Sequence, residues 1–401
     1  MVFVDSLYRA AIKEAMVSLR MQLSHSVTGQ QLQGGVQTVH QDPQHGVSEK
    51  EESSLICIVI GAGLGPLPDL CLTVAQEIGV DVCIHAVDAN PTAIKHMKIR
   101  FRKTSKVIVH DVFTLRPNHP LELLPPGLRE LSRKCHIAVS ELLGCFGDDE
   151  FLPELTRTIS TLFLKPKYSI SIPQSWTSYV CPVQANSVHA ALVMCKWPLD
   201  TAYVAGLSGD CVYLAEPVAV WSGTCLASEP SPTEQQGYSA DVTVMPSPFM
   251  VRQQKIIREY MKLKKEENVV MTEADEKPRL NMEEGEYVVH GLLGYFTSCL
   301  YGNIIIDSRH CSADWNCFHW ECYFMPLPRP LPVRVTDRLT IHLMRHCTEA
   351  VKDGRGFCEL SYSWSVKITC LPPVIARHSE NASIKPVTLF EEVKKGGKIS
   401  I

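Results

Sequence analysis

Neither sign of charge dominates this chain. Its 39 Lys and Arg residues stand against 43 Asp and Glu, and the basic ones are spread along its length. That spread leaves no electrostatic footprint for nucleic acid or an anionic membrane, so neither is expected as a direct partner. A mildly acidic protein instead tolerates cationic partners. Paired Cys-x-x-Cys spacing is missing too: Cys311, Cys317 and Cys322 stand too far apart and lack a matching second pair. No metal is expected. Unbroken apolar runs of membrane length are also absent. Residues 287–306 come nearest, but His290, Ser298, Asn303 and three glycines interrupt them. Two strands around a turn suit that window better. The chain shows no secretory leader, and its 16 cysteines include Cys57, Cys83 and Cys135 in or beside apolar strand-like runs. They read as reduced, mostly buried thiols, and the expected location is the cytoplasm and the nucleus.

With 401 residues, 45% hydrophobic and 20% charged, the chain suits two globular domains. Residues 5–22 repeat apolar positions at helical spacing, with Leu7, Ala11, Ala15 and Leu19 on one face and Tyr8, Ile12 and Met16 beside them. The polar stretch 23–54 reads as a flexible insertion. Short apolar runs at 56–60, 82–87, 106–110 and 136–140 then alternate with helical stretches at 70–78 and 92–101. This alternation predicts an α/β fold, a parallel sheet with helices on both faces, whose ligands bind beyond the carboxyl ends of the strands. Past residue 165 the chain turns to β-rich segments punctuated by Pro and Gly, such as KYSISIP and RLTIHLMRH. Residues 1–165 are therefore expected to form one domain and 166–401 an antiparallel β-domain. The charged helical stretch 251–279 reads as a surface insertion, and the tail after Leu371 is weakly patterned.

Chemistry is concentrated at the predicted strand ends. The first strand runs into Gly61-Ala62-Gly63-Leu64-Gly65-Pro66, where Gly61 and Gly63 let a ligand approach the backbone. Pro66 removes an N–H that a pyrophosphate would want, so the ligand need not carry phosphates. Asp88 closes the second strand, 23 residues past Gly65, placed to accept the hydroxyl protons of a ribose. Asp111 closes the third, placed for an adenine amino group with the Val112 N–H on a ring nitrogen. Taken singly, Asp111 reads first as a helix or turn cap. Together these residues predict a nucleoside site, which dinucleotides and S-adenosylmethionine share.

The fourth strand ends in Ser140-Glu141, and Glu150 follows nine residues later across a tight Gly144–Asp149 segment. Two carboxylates on one hairpin suit a planar cation with fixed N–H donors. An arginine guanidinium, with a pKa of about 12.5 to 13.8, is a poor nucleophile until carboxylates polarise it. Glu141 and Glu150 are thus the candidate catalytic pair, while Asp148 and Asp149 read as solvated spacers.

At these residues the chain resembles a known family. SELLGCFGDDE, residues 140–150, is similar to the double-glutamate loop of the protein arginine methyltransferases, and its Leu-Leu-Gly version to their symmetric-dimethylating, type II branch. VIGAGLGPL, AVDANPTA, SIPQSWTSYVCPV and HGLLGYFTSCLY resemble further blocks of that branch. Phe318-His319-Trp320 stands where asymmetric relatives have Thr-His-Trp and the type II branch Phe-Ser-Trp. It is a candidate substrate-binding segment, Trp320 either stacking on the guanidinium or belonging to the core. The resemblance implies a Rossmann-like methyltransferase domain followed by a β-barrel, with a dimerisation arm about residues 187–203. It also implies S-adenosylmethionine as co-substrate, Arg/Gly-rich substrates such as histones or RNA-binding proteins, and a homodimer or larger assembly. The type II branch carries an N-terminal TIM barrel that binds a WD-repeat partner. The chain begins after that barrel would end, so this partner is not expected, and two upstream aromatic residues of the branch, one contacting cofactor and one governing product, have no counterpart. Leu64 replaces a basic residue of the family's first motif, and Asp88 stands where the family has glutamate. A catalytically inactive binding subunit and a nicotinamide-dependent oxidoreductase are the competing readings.

Overall fold

The structure, a computed structural model, describes residues 2–31, 54–206, 211–226, 238–247, 287–309, 320–352, 355–370, 387–393 and 398–400. The chain divides into two compact units: Met1–Trp176 with Gly223–Glu229 and Thr297–His319, and Thr177–Ser222 with Pro230–Phe296 and Trp320–Ile401.

The first unit opens with helix α1 (Val2–Gln31), whose Tyr8, Ala11, Ile12, Ala15, Met16 and Leu19 are buried. The helix runs beyond its expected end, so residues 23–31 are helical rather than part of an insertion; 32–53 lie outside the described residues. There follow β1 (Leu55–Ile60), α2 (Pro66–Ile78), β2 (Val82–Val87), α3 (Pro91–Arg100), β3 (Val107–Val109), α4 (Pro126–Arg129), β4 (Ile137–Ser140), α5 (Leu152–Leu162) and β5 (Ile170–Ile172). The strands form one sheet in the order β3-β2-β1-β4-β5, with every pairing parallel. Its central strand is apolar throughout because both faces are covered, and Cys57, Ile58 and Val59 are fully buried. Local signals start the helices: Pro66 stands at the head of α2, and the Asn90 side chain accepts the Thr92 N–H at 2.9 Å to cap α3.

The pattern of KYSISIP predicts a place in the antiparallel domain, yet β5 pairs in parallel with β4, Ile137 to Ile170 through Val139 to Ile172. The boundary between the units falls at Trp176, not at 165.

The chain continues through β6 (Ser175–Gln184), α6 (Asn186–Met194), β7 (Tyr203–Ala205), β8 (Val212–Tyr213), β9 (Val218–Thr224), β10 (Tyr238–Val244), β11 (Tyr287–Tyr301) and β12 (Ile304–Asp307). It ends in β13 (Cys322–Val333), β14 (Arg338–Lys352), β15 (Arg355–Cys370), β16 (Val387–Val393) and β17 (Lys398–Ser400). The apolar window 287–306 is a strand, a turn at Gly302 and a strand, as its interruptions implied. The second unit is built on two antiparallel sheets, one ordered β7-β13-β11-β6-β8, the other β10-β14-β15-β16 with β17 also on β15. Trp364 of β15 ties them, its indole N–H donating to the Pro326 carbonyl of β13 at 2.9 Å. Within the weakly patterned tail after Leu371, β16 and β17 both pair with β15. The charged stretch 251–279 lies outside the described residues.

Candidate functional site

The order β3-β2-β1-β4 brings four strand ends to one edge of the first sheet, with the chain reversing its direction of winding between β1 and β4. Ligands bind at such a switch point. The loop after β1 is left-handed at Gly63, φ 55°, and a methyl group placed there would meet no atom within 4 Å. That loop therefore has open space above its backbone. Asp88, half-buried at the end of β2, holds the loop in place. One carboxylate oxygen accepts the Gly63 N–H at 2.7 Å and the other the Asn90 N–H at 2.7 Å. Each oxygen keeps a second lone pair for a ligand hydroxyl.

Asp111 follows β3 with its carboxylate almost wholly in solvent, paired with Lys98 at 2.6 Å. The lysine holds that carboxyl below its usual range. Water screens a pair this exposed, so a ligand can readily take the lysine's place beside the carboxylate. Val112 is exposed beside it. The Phe113 N–H donates to the Asp88 backbone carbonyl at 3.1 Å, which fastens this loop to the previous one. Open backbone at Gly63 and a held acid at Asp88 fit a nucleoside such as that of S-adenosylmethionine.

Across the switch point, β4 delivers Glu141. The preceding residue is fixed from outside the sheet, because the buried Tyr8 of α1 donates its hydroxyl to the Ser140 carbonyl at 2.8 Å. Burial, then the charge of Glu141, holds the Tyr8 phenol well above its usual range. The next residue reaches back to the first loop: a methyl group at Gly61 would lie 3.1 Å from the Leu142 side chain. Tyr8 was read from sequence only as part of an apolar helix face. Its signal there was a single polar-tipped ring in that stripe.

The acidic turn differs from its expected form. Asp148 and Asp149 are buried, not solvated. The Asp149 carboxylate folds into its own loop, accepting the Phe146 N–H at 2.7 Å and the Cys145 N–H at 3.1 Å. Gly144, at φ 62°, permits this, since a methyl group there would stand 2.2 Å from an Asp149 carboxylate oxygen. Loop N–H groups removed from water need an acceptor, and the spacer acid is that acceptor. Burial pushes the Asp149 carboxyl up to about 6, with backbone N–H bonds from Phe146, Cys145 and Asp149 itself opposing the shift and Glu150 adding to it. Glu150 itself reaches the surface but is crowded on its other sides. That partial loss of water, then the charge of Glu141, raises its carboxyl above the usual range. The structure thus brings Glu141 and Glu150 within electrostatic reach of each other on one loop. Two carboxylates that resist joint ionisation are prepared for a cation between them.

Trp320 is buried in the second unit, 6% exposed and edge-on to Phe296 with ring centres 5.1 Å apart. It has the packing of a core residue. Phe318 and His319 lie outside the described residues.

Two family models match in tandem. Residues 5–172 match the PRMT5 arginine-N-methyltransferase and residues 175–367 the PRMT5 oligomerisation domain. Protein arginine N-methyltransferase 5 of rice, Oryza sativa subsp. indica, is 29% identical over 331 residues, covering 81% of this chain and 41% of the rice protein. Protein arginine N-methyltransferase skb1 of Schizosaccharomyces pombe is 24% identical over 329 residues, covering 78% of this chain and 44% of its own. The chain spans about two fifths of the length of these curated relatives. Among solved structures, a chain of the Trypanosoma brucei PRMT1 enzyme-prozyme heterotetrameric complex with AdoHcy matches with a TM-score of 0.54 and 12% identity, covering 85% of this chain and 89% of that one. This last likeness is one of fold.

Proposed function

Because the chain belongs to the PRMT5 family of arginine N-methyltransferases, we propose that it transfers methyl groups from S-adenosylmethionine to arginine side chains in Arg/Gly-rich proteins, histones and RNA-binding proteins among them, as a type II, symmetric-dimethylating enzyme. The observation that carries the reading is the paired Glu141 and Glu150 on the loop after β4, beside the open Gly63 and Asp88 cradle.

In this reading Asp88 takes the ribose hydroxyls, while Asp111 and the Val112 N–H take the adenine. S-Adenosylmethionine supplies an electrophilic methyl group on a positively charged sulfur. Glu141 and Glu150 each pair with a different edge of the guanidinium and draw its positive charge away from the nitrogen between them. That nitrogen bonds to the methyl carbon as the carbon–sulfur bond breaks, the electron pair leaving with sulfur as a neutral thioether, and it gives up a proton. Glu150, whose carboxyl is already raised, is the acceptor we assign.

Purified protein given isotopically labelled S-adenosylmethionine and an Arg-Gly-rich peptide should form methylarginine. Mass spectrometry of the hydrolysed product separates symmetric from asymmetric and monomethyl forms. Cofactor binding without any methylarginine would favour a non-catalytic binding subunit. An arm at about residues 187–203 is supported by the exposed large apolar side chains around α6, Val193, Met194, Trp197 and Val204. Such a patch suits a self-association surface. Met194→Glu should then lower the mass found by sedimentation. We assign the protein to the cytoplasm and nucleus, supported by its free cysteines; a fluorescent fusion tests this.

A further inference from the structure

Glu150 projects from the chain between two buried neighbours. On one side, the Asp149 carboxylate is bonded to the Cys145 and Phe146 N–H groups of its own loop. On the other, Phe151 is buried at φ 63° and heads α5, its carbonyl accepting the Leu155 N–H at 3.0 Å. A carboxylate is well matched to the first of these tasks. It offers an acceptor oxygen to each N–H, whereas an asparagine would offer one oxygen and turn an N–H₂ group towards the second donor.

We propose that Asp149 is a positioning residue: its carboxylate closes the loop from Gly144 to Phe146 around itself and so sets the direction from which Glu150 meets the guanidinium. The proposal rests on the arginine-methylation reading. It also gives the loop a pH response. The charged group acting on Asp149 is Glu150, Glu141 acts in turn on Glu150, and Tyr8 of α1 stands beside Glu141. The form that accepts both N–H groups is the ionised one. As pH falls through about 6, protonation turns one acceptor oxygen into a hydroxyl and loosens the clasp.

The test compares the full chain with Asp149→Asn and Asp149→Ala. Its readouts are hydrogen exchange at the Cys145 and Phe146 amides, S-adenosylmethionine affinity by calorimetry, and kcat and KM for an Arg-Gly-rich peptide across pH. Asp149→Ala should speed exchange at both amides by about tenfold or more and lower kcat by about thirtyfold, leaving cofactor affinity within about twofold. Asp149→Asn should fall between and move the acid limb of kcat to lower pH, because the amide does not titrate and no longer repels Glu150. A residue that merely stabilised the fold would reduce the amount of active protein without moving that limb. Unchanged kcat in Asp149→Ala, or an unmoved acid limb in Asp149→Asn, overturns the proposal. Should Asp149→Ala fail to fold, Asp149→Asn decides. A wild-type protein that transfers no methyl group defeats the arginine-methylation reading instead, and amide exchange still judges the clasp: unaltered protection in Asp149→Ala rejects it.

Discussion

The loops that follow β1 and β4 leave neighbouring strands at the same edge of one sheet, yet they are built in opposite ways. The first is open over Gly63. A methyl group at Gly63 would touch nothing within 4 Å, and the acid that holds this loop, Asp88, comes from the next strand. The second is filled with itself, and its acid, Asp149, comes from its own turn and occupies the space over Gly144. A strand end that must admit a ligand is held from the side. One that must aim a charge is packed from within. The same residue types, glycines and an aspartate, therefore do opposite work in the two loops.

The packed turn is most vulnerable at Gly144. Alanine there would have to hold φ near 62° and place its methyl group against the Asp149 carboxylate. Left-handed strain alone costs about 1 to 2 kcal/mol, and displacing the buried acid adds a comparable amount. We expect Gly144→Ala to lower unfolding free energy by about 3 kcal/mol and turnover by about a hundredfold or more. Denaturant titration and a methyl-transfer assay would measure these. Near wild-type turnover would mean that the packed turn does not aim Glu150.

Glu150→Gln leaves the packing intact and removes only the charge. Turnover should drop at least about tenfold, equivalent to about 1.4 kcal/mol of transition-state stabilisation, with cofactor affinity unchanged. The pH dependence has a definite sign. Glu150 has its carboxyl raised, so in the wild type it protonates as pH falls through a value above the usual glutamate range, and the cation loses a partner. Activity should therefore decline on the acid side and be restored on returning to neutral pH.

The sheet was far more legible in the sequence than the loops that serve it. The runs at 56–60, 82–87 and 136–140 became β1, β2 and β4 to within a residue at each end, because strands covered on both faces must be largely apolar. Asp88 was legible for a related reason, since a strand end fixes where the next side chain stands. Asp149 was not. Its burial depends on a left-handed glycine five residues earlier and on a chain reversal that no hydrophobic period records. A short polar turn reads as solvated until its own N–H groups are counted. β5 is hidden in the sequence because its three residues alternate as an antiparallel strand would, while its parallel pairing with β4 depends on the α5 crossover that joins the two. Tyr8 was hidden for a third reason: its ring belongs to the apolar face of α1, and only the tip reaches Ser140.

Asp88→Asn tests the open loop from the side. The amide can accept from either Gly63 or Asn90 but must turn its N–H₂ group towards the other, so one of the two bonds is lost. Affinity for S-adenosylmethionine should fall by about tenfold, about 1.4 kcal/mol, when measured by calorimetry. The protein should stay folded, since Asp88 is half-buried and its loop faces open space. Equal affinity in the two proteins would remove Asp88 from the cradle.

The smallest change in stability belongs to the substitution most like the first. Gly63→Ala adds the same methyl group as Gly144→Ala, at a nearly equal φ of 55°, but meets no neighbour. Its cost in unfolding free energy should be left-handed strain alone, about 1 kcal/mol. Its effect on binding should be larger than its effect on folding, because the methyl group occupies space that a nucleoside would use. If the first loop is open over Gly63 for a ligand, this variant will unfold almost as the wild type does and bind S-adenosylmethionine distinctly less well. If affinity is untouched, the space over Gly63 has another purpose, and the contrast between the two loops is one of packing only.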